Sequence, residues 1–471
     1  PQRASIVARH RIARELTRRA STAAAATMSL PLKVGMFGGG TVGGGVYEIM
    51  EQTKKELFKA SGVDVTISKA SATSLPHICV RDVNKKRSFE LEKHTTMVTD
   101  YDEILEDDSI NCVVELMGGV THAKDVVFKA LKKGKHVVTA NKALLAQLLP
   151  EVKSLVAENA GTTLGYEAAV CGGIPIIHNM QGSYVGDSIQ SVMGIMNGTT
   201  NFMLTKMETE GADYAAVLKE AQDLGFAEAD PTADVEGHDV QAKIALLAKL
   251  AFGQDVALDK VPCAGISNLS STDFACAKMM GCTIKLVGTA ALGESKDKLA
   301  VFVSPVLVPL GGPLASTRGP GNVVVVRSEN LTESVYAGPG AGRYPTANSV
   351  VNDIVRLARL GAAGTPPPFP LERPLELEPD FEACFYVRVT AADGLGVLSA
   401  VGAIASEAGV SVHSVLRGGE GGGEGEGGEE AGVVSLVVKT DSCLRSQVAA
   451  FVDGLKGKKV ATADPVVMSI L

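Results

Sequence analysis

Two lysines stand in surroundings that suit carbonyl chemistry. Lys243 lies in Gly237-His238-Asp239-Val240-Gln241-Ala242-Lys243-Ile244-Ala245-Leu246, four residues after Asp239 and so on the same helical face. The stretch is otherwise almost wholly apolar, which predicts a desolvated ammonium with a depressed pKa, suited to protonating an alkoxide as hydride arrives. The same spacing also describes an ordinary ion pair on a solvated face. Lys142, in Thr139-Ala140-Asn141-Lys142-Ala143, directly follows an apolar run. In an open parallel sheet the C-terminal strand ends face the ligand crevice, so a lysine there reaches a reacting carbonyl. Four acids, Glu228, Asp230, Asp234 and Glu236, precede the Lys243 helix. Carboxylates so placed hold a substrate ammonium group, or complement a helix dipole. No His/Cys set with metal-ligand spacing joins them, and the single His178 and His238 read as structural.

Gly38-Gly39-Gly40-Thr41-Val42-Gly43 fits G-x-G-x-x-G between an apolar strand and a helix. Glycines there permit a tight turn, and the helix N-terminus presents N–H groups to a pyrophosphate. The next strand ends Val80-Arg81-Asp82. Arg81 pairs naturally with a ribose 2′-phosphate and favours NADP, while Asp82 keeps NAD open.

The elements that must position these groups alternate. Strands are expected at 32–37, 77–81, 111–117 and 136–140, with helices at 42–60 and 123–133, which predicts a doubly wound α/β domain with a parallel sheet over 32–165. A second α/β region, 166–362, has helices at 212–224, 238–252 and 347–360 and strands at 163–167, 189–196, 300–307 and 322–328, its C-terminal part returning to the cofactor domain. A Pro-rich linker spans 363–380, and a βαββαβ unit follows over 381–471. Within that unit the Gly/Glu-rich segment 418–432 cannot build a core.

The 471 residues suffice for about three domains. Net charge is −8, but residues 1–27 hold six Arg and one Glu, a local +5, so the remainder carries −13. An acidic body argues against nucleic-acid binding, and no apolar run approaches the ~20 residues of a membrane span. The Arg- and Ala-rich leader matches an organelle transit peptide, with the plastid expected ahead of mitochondrion or cytoplasm. Eight scattered Cys without a CxxC read as reduced thiols.

Taken together, VGMFGGGTVGGGV (34–46), VVELMGG (113–119), GKHVVTANKALLA (134–146), YEAAVCGGIPII (166–177), GIMNGTTNFMLTKM (194–207), LGFAEADPTADVEGHDVQAKIALLAKLAF (224–252) and GPGAGRYPTANSVVNDI (338–354) closely resemble the homoserine dehydrogenases. The resemblance implies reduction of L-aspartate 4-semialdehyde to L-homoserine with an NAD(P) coenzyme, and Arg81 tilts the expectation to NADP(H) over NAD(H). It implies that Lys243 and Lys142 are catalytic, with Lys243 the proton donor. Glu228 and Asp239 match substrate-binding residues, and Asp234 an acid of the same site. Gly38, Gly40, Thr41, Val42, Gly43, Arg81, Met117, Gly118, Lys142 and Gly340 fall to the cofactor. Glu167, Val170, Gly172 and Ile174 match positions whose carbonyls hold a structural sodium ion in some members. A homodimer or homotetramer is implied, and a monofunctional chain.

The C-terminal unit resembles an ACT domain through Asp393-Gly394-Leu395-Gly396-Val397-Leu398, without the Pro that many relatives carry in this loop. In this family such a module implies feedback by an end product, usually threonine, or dimer contacts alone. Two rivals remain at this stage. Another NADP-linked enzyme of this kind, such as a semialdehyde dehydrogenase forming an acyl phosphate, needs an activated cysteine, for which Cys171 is the candidate. A non-catalytic amino-acid or redox sensor needs neither lysine.

Overall fold

In a computed structural model of the chain the described residues are 32–52, 74–159, 161–364, 367–418 and 433–471. The basic leader, the second half of the first predicted helix and nearly all of the Gly/Glu-rich segment lie outside them. The first sheet comprises β1 (Lys33–Phe37), β2 (Ser74–Cys79), β3 (Thr96–Val98), β4 (Cys112–Glu115), β5 (His136–Thr139) and β6 (Leu164–Gly165). All pairs are parallel, in the order β3-β2-β1-β4-β5-β6. β4 and β5 are buried along their whole length, as a parallel sheet covered on both faces requires. Helices α1 (Thr41–Gln52), α2 (Thr121–Lys132) and α3 (Lys142–Glu158) connect the strands. The strand order reverses between β1 and β4, which is the ligand crevice of such a fold.

The second sheet is mixed and runs to eleven strands. β7 (Ile189–Ile195), β8 (Cys282–Leu292), β9 (Lys298–Pro309), β10 (Gly321–Ser328) and β11 (Thr332–Pro339) form its first part in the order β11-β10-β7-β8-β9. Helix α4 (Gly198–Glu210) follows β7, and α5 (His238–Phe252) lies across the sheet. The fit is close: a Cβ at Gly288 of β8 would stand 2.8 Å from Val240 Cγ1 and 3.2 Å from Ile244 Cβ of α5. The long helix α7 (Arg343–Gly364) then returns to the first sheet. Its Ala347, Val350, Val351 and Ile354 share a core with Val34, Met36, Val46 and Met50.

The C-terminal unit was expected as a module of its own, and its secondary structure follows the predicted order. Its sheet, however, is continuous with the second one. β17 (Val466–Ile470) pairs in parallel with β9, Ser469 opposite Val306 and Ile470 opposite Leu307. β13 (Glu382–Ala392), β15 (Val433–Thr440) and β14 (Val412–Gly418) follow outward, with α8 (Val397–Glu407) and α9 (Arg445–Gly457) between strands. A second tie runs through α6 (Ser271–Met279). Asp273, fully buried, accepts hydrogen bonds from Tyr386 Oη and Arg388 Nε of β13, each at 2.7 Å. The Pro-rich linker is also held. Tyr166 Oη donates to Pro368 O at 2.6 Å, and β12 (Glu376–Leu377) pairs with β9. No helix among the described residues is long and apolar enough to cross a membrane.

Candidate active site

The glycine loop leaves β1 and enters α1. Gly38 has φ +111°, and a Cβ at Gly43 would lie 1.9 Å from Gly38 O, so side chains are excluded from both. Nothing lies within 4 Å of the point where a Gly40 Cβ would stand, which leaves an open cradle over the helix N-terminus. That shape fits a dinucleotide pyrophosphate. Thr41 and Val42 open the helix. Arg81 is exposed just past β2 and makes no ion pair with Asp82 among the described residues. Arg87, which sequence reasoning missed, braces the loop by donating to Gly39 O at 3.2 Å and Asp82 O at 2.7 Å.

Across the crevice a buried carboxylate sets the strand ends. Glu115 Oε1 accepts from the N–H groups of Met117 (2.8 Å) and Gly118 (3.3 Å), and its Oε2 accepts from Thr139 Oγ1 at 2.7 Å. Thr139 Oγ1 in turn accepts from Asn141 N, and Asn141 Nδ2 donates to Gly119 O at 2.6 Å. The Asn141 carbonyl caps α3 by accepting from Leu144 N. Lys142, the first residue of α3, is thereby aimed from the crevice floor. None of Glu115, Thr139 and Asn141 carried a sequence signal beyond being polar residues at the ends of apolar strands.

Lys142 Nζ reaches Asp239 Oδ1 at 3.0 Å, and Lys243 Nζ reaches Asp239 Oδ2 at 2.7 Å. Lys243 also donates to Met196 O at 2.6 Å. Asn197, again unanticipated, joins the acids: its Nδ2 donates to Asp234 Oδ1 (2.7 Å) and Asp239 Oδ2 (2.9 Å). Its own carbonyl caps α4 by accepting from Thr200 N, which fixes the side chain. Lys142, Lys243, Asp234 and Asp239 thus meet in one cluster. Glu228 does not join it; its side chain is exposed and forms no hydrogen bond or ion pair among the described residues.

The electrostatics correct one expectation. Burial disfavours the charge on Lys243, but Asp239 outweighs it and the pKa lies above the ordinary value, not below. Burial likewise opposes charge on Asp239, yet Lys243, Lys142 and the Asn197 amide hold its carboxyl far below the usual range. The ion pair is strong because both partners are enclosed. Asp234 is raised by burial, with Asp239 adding to the effect. Cys171 is fully buried with φ +52°, and burial pushes its thiol up despite nearby Lys243. A nucleophilic cysteine needs the opposite shift, which removes the support for the acyl-phosphate rival.

The loop carrying Glu167, Val170, Gly172 and Ile174 backs the cluster. The Glu167 carboxylate accepts from Ile177 N (2.9 Å) and His178 N (2.8 Å), so that side chain is already committed. His178 bridges Glu167 Oε2 (3.0 Å) and Asp353 Oδ1 (2.7 Å). Burial lowers its pKa, but the two carboxylates win and raise it to about 9. Gly172 O accepts from Ser349 Oγ and Ile174 O from Ile176 N. Each such carbonyl retains a second lone pair, which is the kind of donor a hard cation takes. Among the described residues no side-chain group of three or more His, Cys, Asp or Glu forms a metal site. Gly340 packs on this loop, its carbonyl 2.6 Å from where a Gly172 Cβ would stand.

Comparisons agree with this arrangement. The family profile of the homoserine dehydrogenase NAD-binding domain matches residues 38–167, and that of homoserine dehydrogenase matches 175–355. The chain is 41% identical over 390 residues to a homoserine dehydrogenase of Bacillus subtilis, covering 82% of this chain and 87% of that protein. It is 38% identical over 436 residues to one of Corynebacterium glutamicum, covering 91% and 93%. A homoserine dehydrogenase structure from Thiobacillus denitrificans superposes with a TM-score of 0.83 at 31% identity, over 94% of this chain and 98% of that one. The chain belongs to the homoserine dehydrogenase family and is an oxidoreductase with an NAD-binding domain.

Proposed function

We propose that Lys243 is the proton donor in interconversion of L-aspartate 4-semialdehyde and L-homoserine, with NADP(H) preferred over NAD(H). The observation that carries this reading is the pair of lysines on one buried carboxylate beside the cofactor crevice. The nicotinamide cofactor, when bound, supplies hydride to the aldehyde carbon. Lys243 gives a proton to the carbonyl oxygen, and Lys142 adds positive charge beside it. Both ammonium groups stabilise the developing alkoxide, Lys243 from an enclosed position and Lys142 from a more open one. Asp239 and Asp234 hold the substrate's ammonium group and keep Lys243 charged. Asn197 fixes both acids. Glu228, exposed on the approach, joins the substrate only if the 226–230 segment moves inward.

Arg81, which has no ion-pair carboxylate among the described residues, is the partner for a 2′-phosphate. The carbonyls of Glu167, Val170, Gly172 and Ile174 would hold sodium, whose charge would stiffen the loop under Gly340. The βαββαβ unit acts as an ACT module responding to threonine, the subunits assemble as a homodimer or homotetramer, and the leader directs import into a plastid. One assay tests the core of this reading: reduction of NADP and of NAD with L-homoserine, with and without threonine. Absence of turnover with either coenzyme overturns it, and equal efficiency with both overturns the NADP preference. Indifference to threonine removes that effector.

A further inference from the structure

Lys249 is fully buried on α5, beyond Lys243 on the same helix, and the reaction described above does not use it. Its Nζ pairs with Asp255 Oδ1 at 2.9 Å and donates to Gly253 O at 2.9 Å, just past the end of the helix. The other oxygen of Asp255 is taken by Lys153 Nζ of α3 at 2.7 Å. Burial opposes charge on Asp255, but the two lysines outweigh it and hold the carboxyl below its ordinary value. Lys153 also reaches Glu372 Oε1 of the Pro-rich linker at 2.6 Å, on its exposed side.

This arrangement repeats the one at the reacting atoms. Asp239 receives one lysine from α3 and one from α5, and Asp255 receives another from each of the same two helices. The helices pack side by side and run in the same direction, so the two carboxylates tie them together at opposite ends. Lys142 and Lys153 are separated by roughly 16 Å of helical rise. Two helices joined at a single point can swivel about it, and a second tie at that distance removes the freedom. α3 depends on the second tie because it is interrupted: Leu148 departs from helical geometry (φ −122°, ψ 25°) and Pro150 brings no N–H to the ladder. Lys142 depends on it as well. Its side chain is 38% exposed, against 9% for Lys243, so little packing around the ammonium fixes its position.

We propose that Asp255 is a positioning residue for the reaction: by holding Lys153 against Lys249 it sets the angle between α3 and α5, and through that angle the place of the Lys142 ammonium beside Lys243. The inference rests on the reading of Lys142 and Lys243 as the reacting pair. Glu372, largely exposed, contributes little to the tie.

Replacing Asp255 would strand the buried Lys249, so the test cuts the tie from the other side. Lys153→Met keeps the aliphatic stem and leaves Asp255 paired with Lys249. With homoserine, below the onset of its melting, this variant should lose about tenfold or more in kcat. KM for the coenzyme should stay the same, since the glycine loop is not touched. Lys153→Arg, which still reaches the carboxylate, should restore most of the turnover, and Glu372→Gln should leave it unchanged. In a Lys142→Met background Lys153→Met should cost nothing further, because the group it positions is already gone. Unchanged kcat in Lys153→Met overturns the inference. So does a further loss of the same size in the Lys142→Met background, which would make the tie a matter of general stability. A loss in Glu372→Gln equal to that in Lys153→Met moves the role from Asp255 to the linker. If Lys142→Met alone turns over normally, the reading of the reacting pair fails and the inference fails with it.

Discussion

Lys142 and Lys243 close on opposite oxygens of the same carboxylate, at 3.0 Å and 2.7 Å from Asp239. One comes from the N-terminus of a helix in the cofactor domain and the other from the helix across the second sheet. The two domains are therefore pinned together at the reacting atoms, and any shift between them is felt first as a change in the distance between two charges.

Lys243→Ala should lower kcat by roughly 10²-fold or more, the usual worth of a positioned general acid. The measurement is steady-state formation of reduced coenzyme with homoserine. Turnover near that of the unaltered chain would remove Lys243 from the chemistry.

Asp239→Asn should act on pH dependence as well as rate. The carboxylate is what raises Lys243 against burial, so removing it lets burial win and the lysine loses its proton at lower pH. The alkaline limb of kcat against pH should move downward. An unmoved limb would mean that a different group sets it.

Arg81→Ala should raise KM for NADPH by about tenfold or more while changing KM for NADH little, since a charged hydrogen bond is worth ~1.5–3 kcal/mol. Equal effects on both coenzymes would show that Arg81 reads something other than a 2′-phosphate.

His178 gives stability a slope with pH. Its folded pKa of about 9 exceeds the ordinary 6.5, so its contribution is complete below pH 6.5 and is lost as pH rises through 9. At ~1.4 kcal/mol per unit the contribution amounts to at most about 3 kcal/mol. Denaturant melts of His178→Gln across this window should lose the slope; a slope equal to that of the unaltered chain would assign it elsewhere.

Asp273→Ala should destabilise the whole chain by about 1–3 kcal/mol, because it leaves the buried Tyr386 hydroxyl without its acceptor and takes the carboxylate from half-buried Arg388. Melting of the C-terminal unit by itself, with the remainder unaffected, would contradict the continuity of the second sheet.

What could be read ahead of the structure was local. The glycine loop lies between consecutive elements, and Asp239 and Lys243 are neighbours on one helix. The network that aims Lys142 was not legible, since Glu115, Thr139 and Asn141 act only once two strands stand side by side. The direction of the Lys243 shift was misjudged for the same reason. An apolar helix advertises desolvation, whereas the strength of the opposing ion pair depends on how closely Asp239 is enclosed. β8 escaped notice because Thr283, Lys285, Gly288 and Thr289 interrupt its apolar run. That lysine is buried, bonds to Asn201 Oδ1 and Thr317 O, and is held down at about 8 by burial. The joining of two sheets by β9 and β17 has no sequence signature, being a pairing between distant segments.

That joining also governs the order in which the protein can be made. β9 pairs on one side with β8, but the partner for its other side at Val306 and Leu307 is Ser469 and Ile470. During synthesis, at roughly 5–20 residues per second, the catalytic sheet stands with an open edge for many seconds until β17 emerges. β12 and Cys263 cover β9 only at Lys298, Leu299 and Val303, so the stretch at Val306 and Leu307 is left open to pairing with other chains, and a contact so distant in sequence forms slowly. Nascent chains therefore need protection at β9, and cutting away the final strand should be felt as aggregation during synthesis before any effect on regulation is seen.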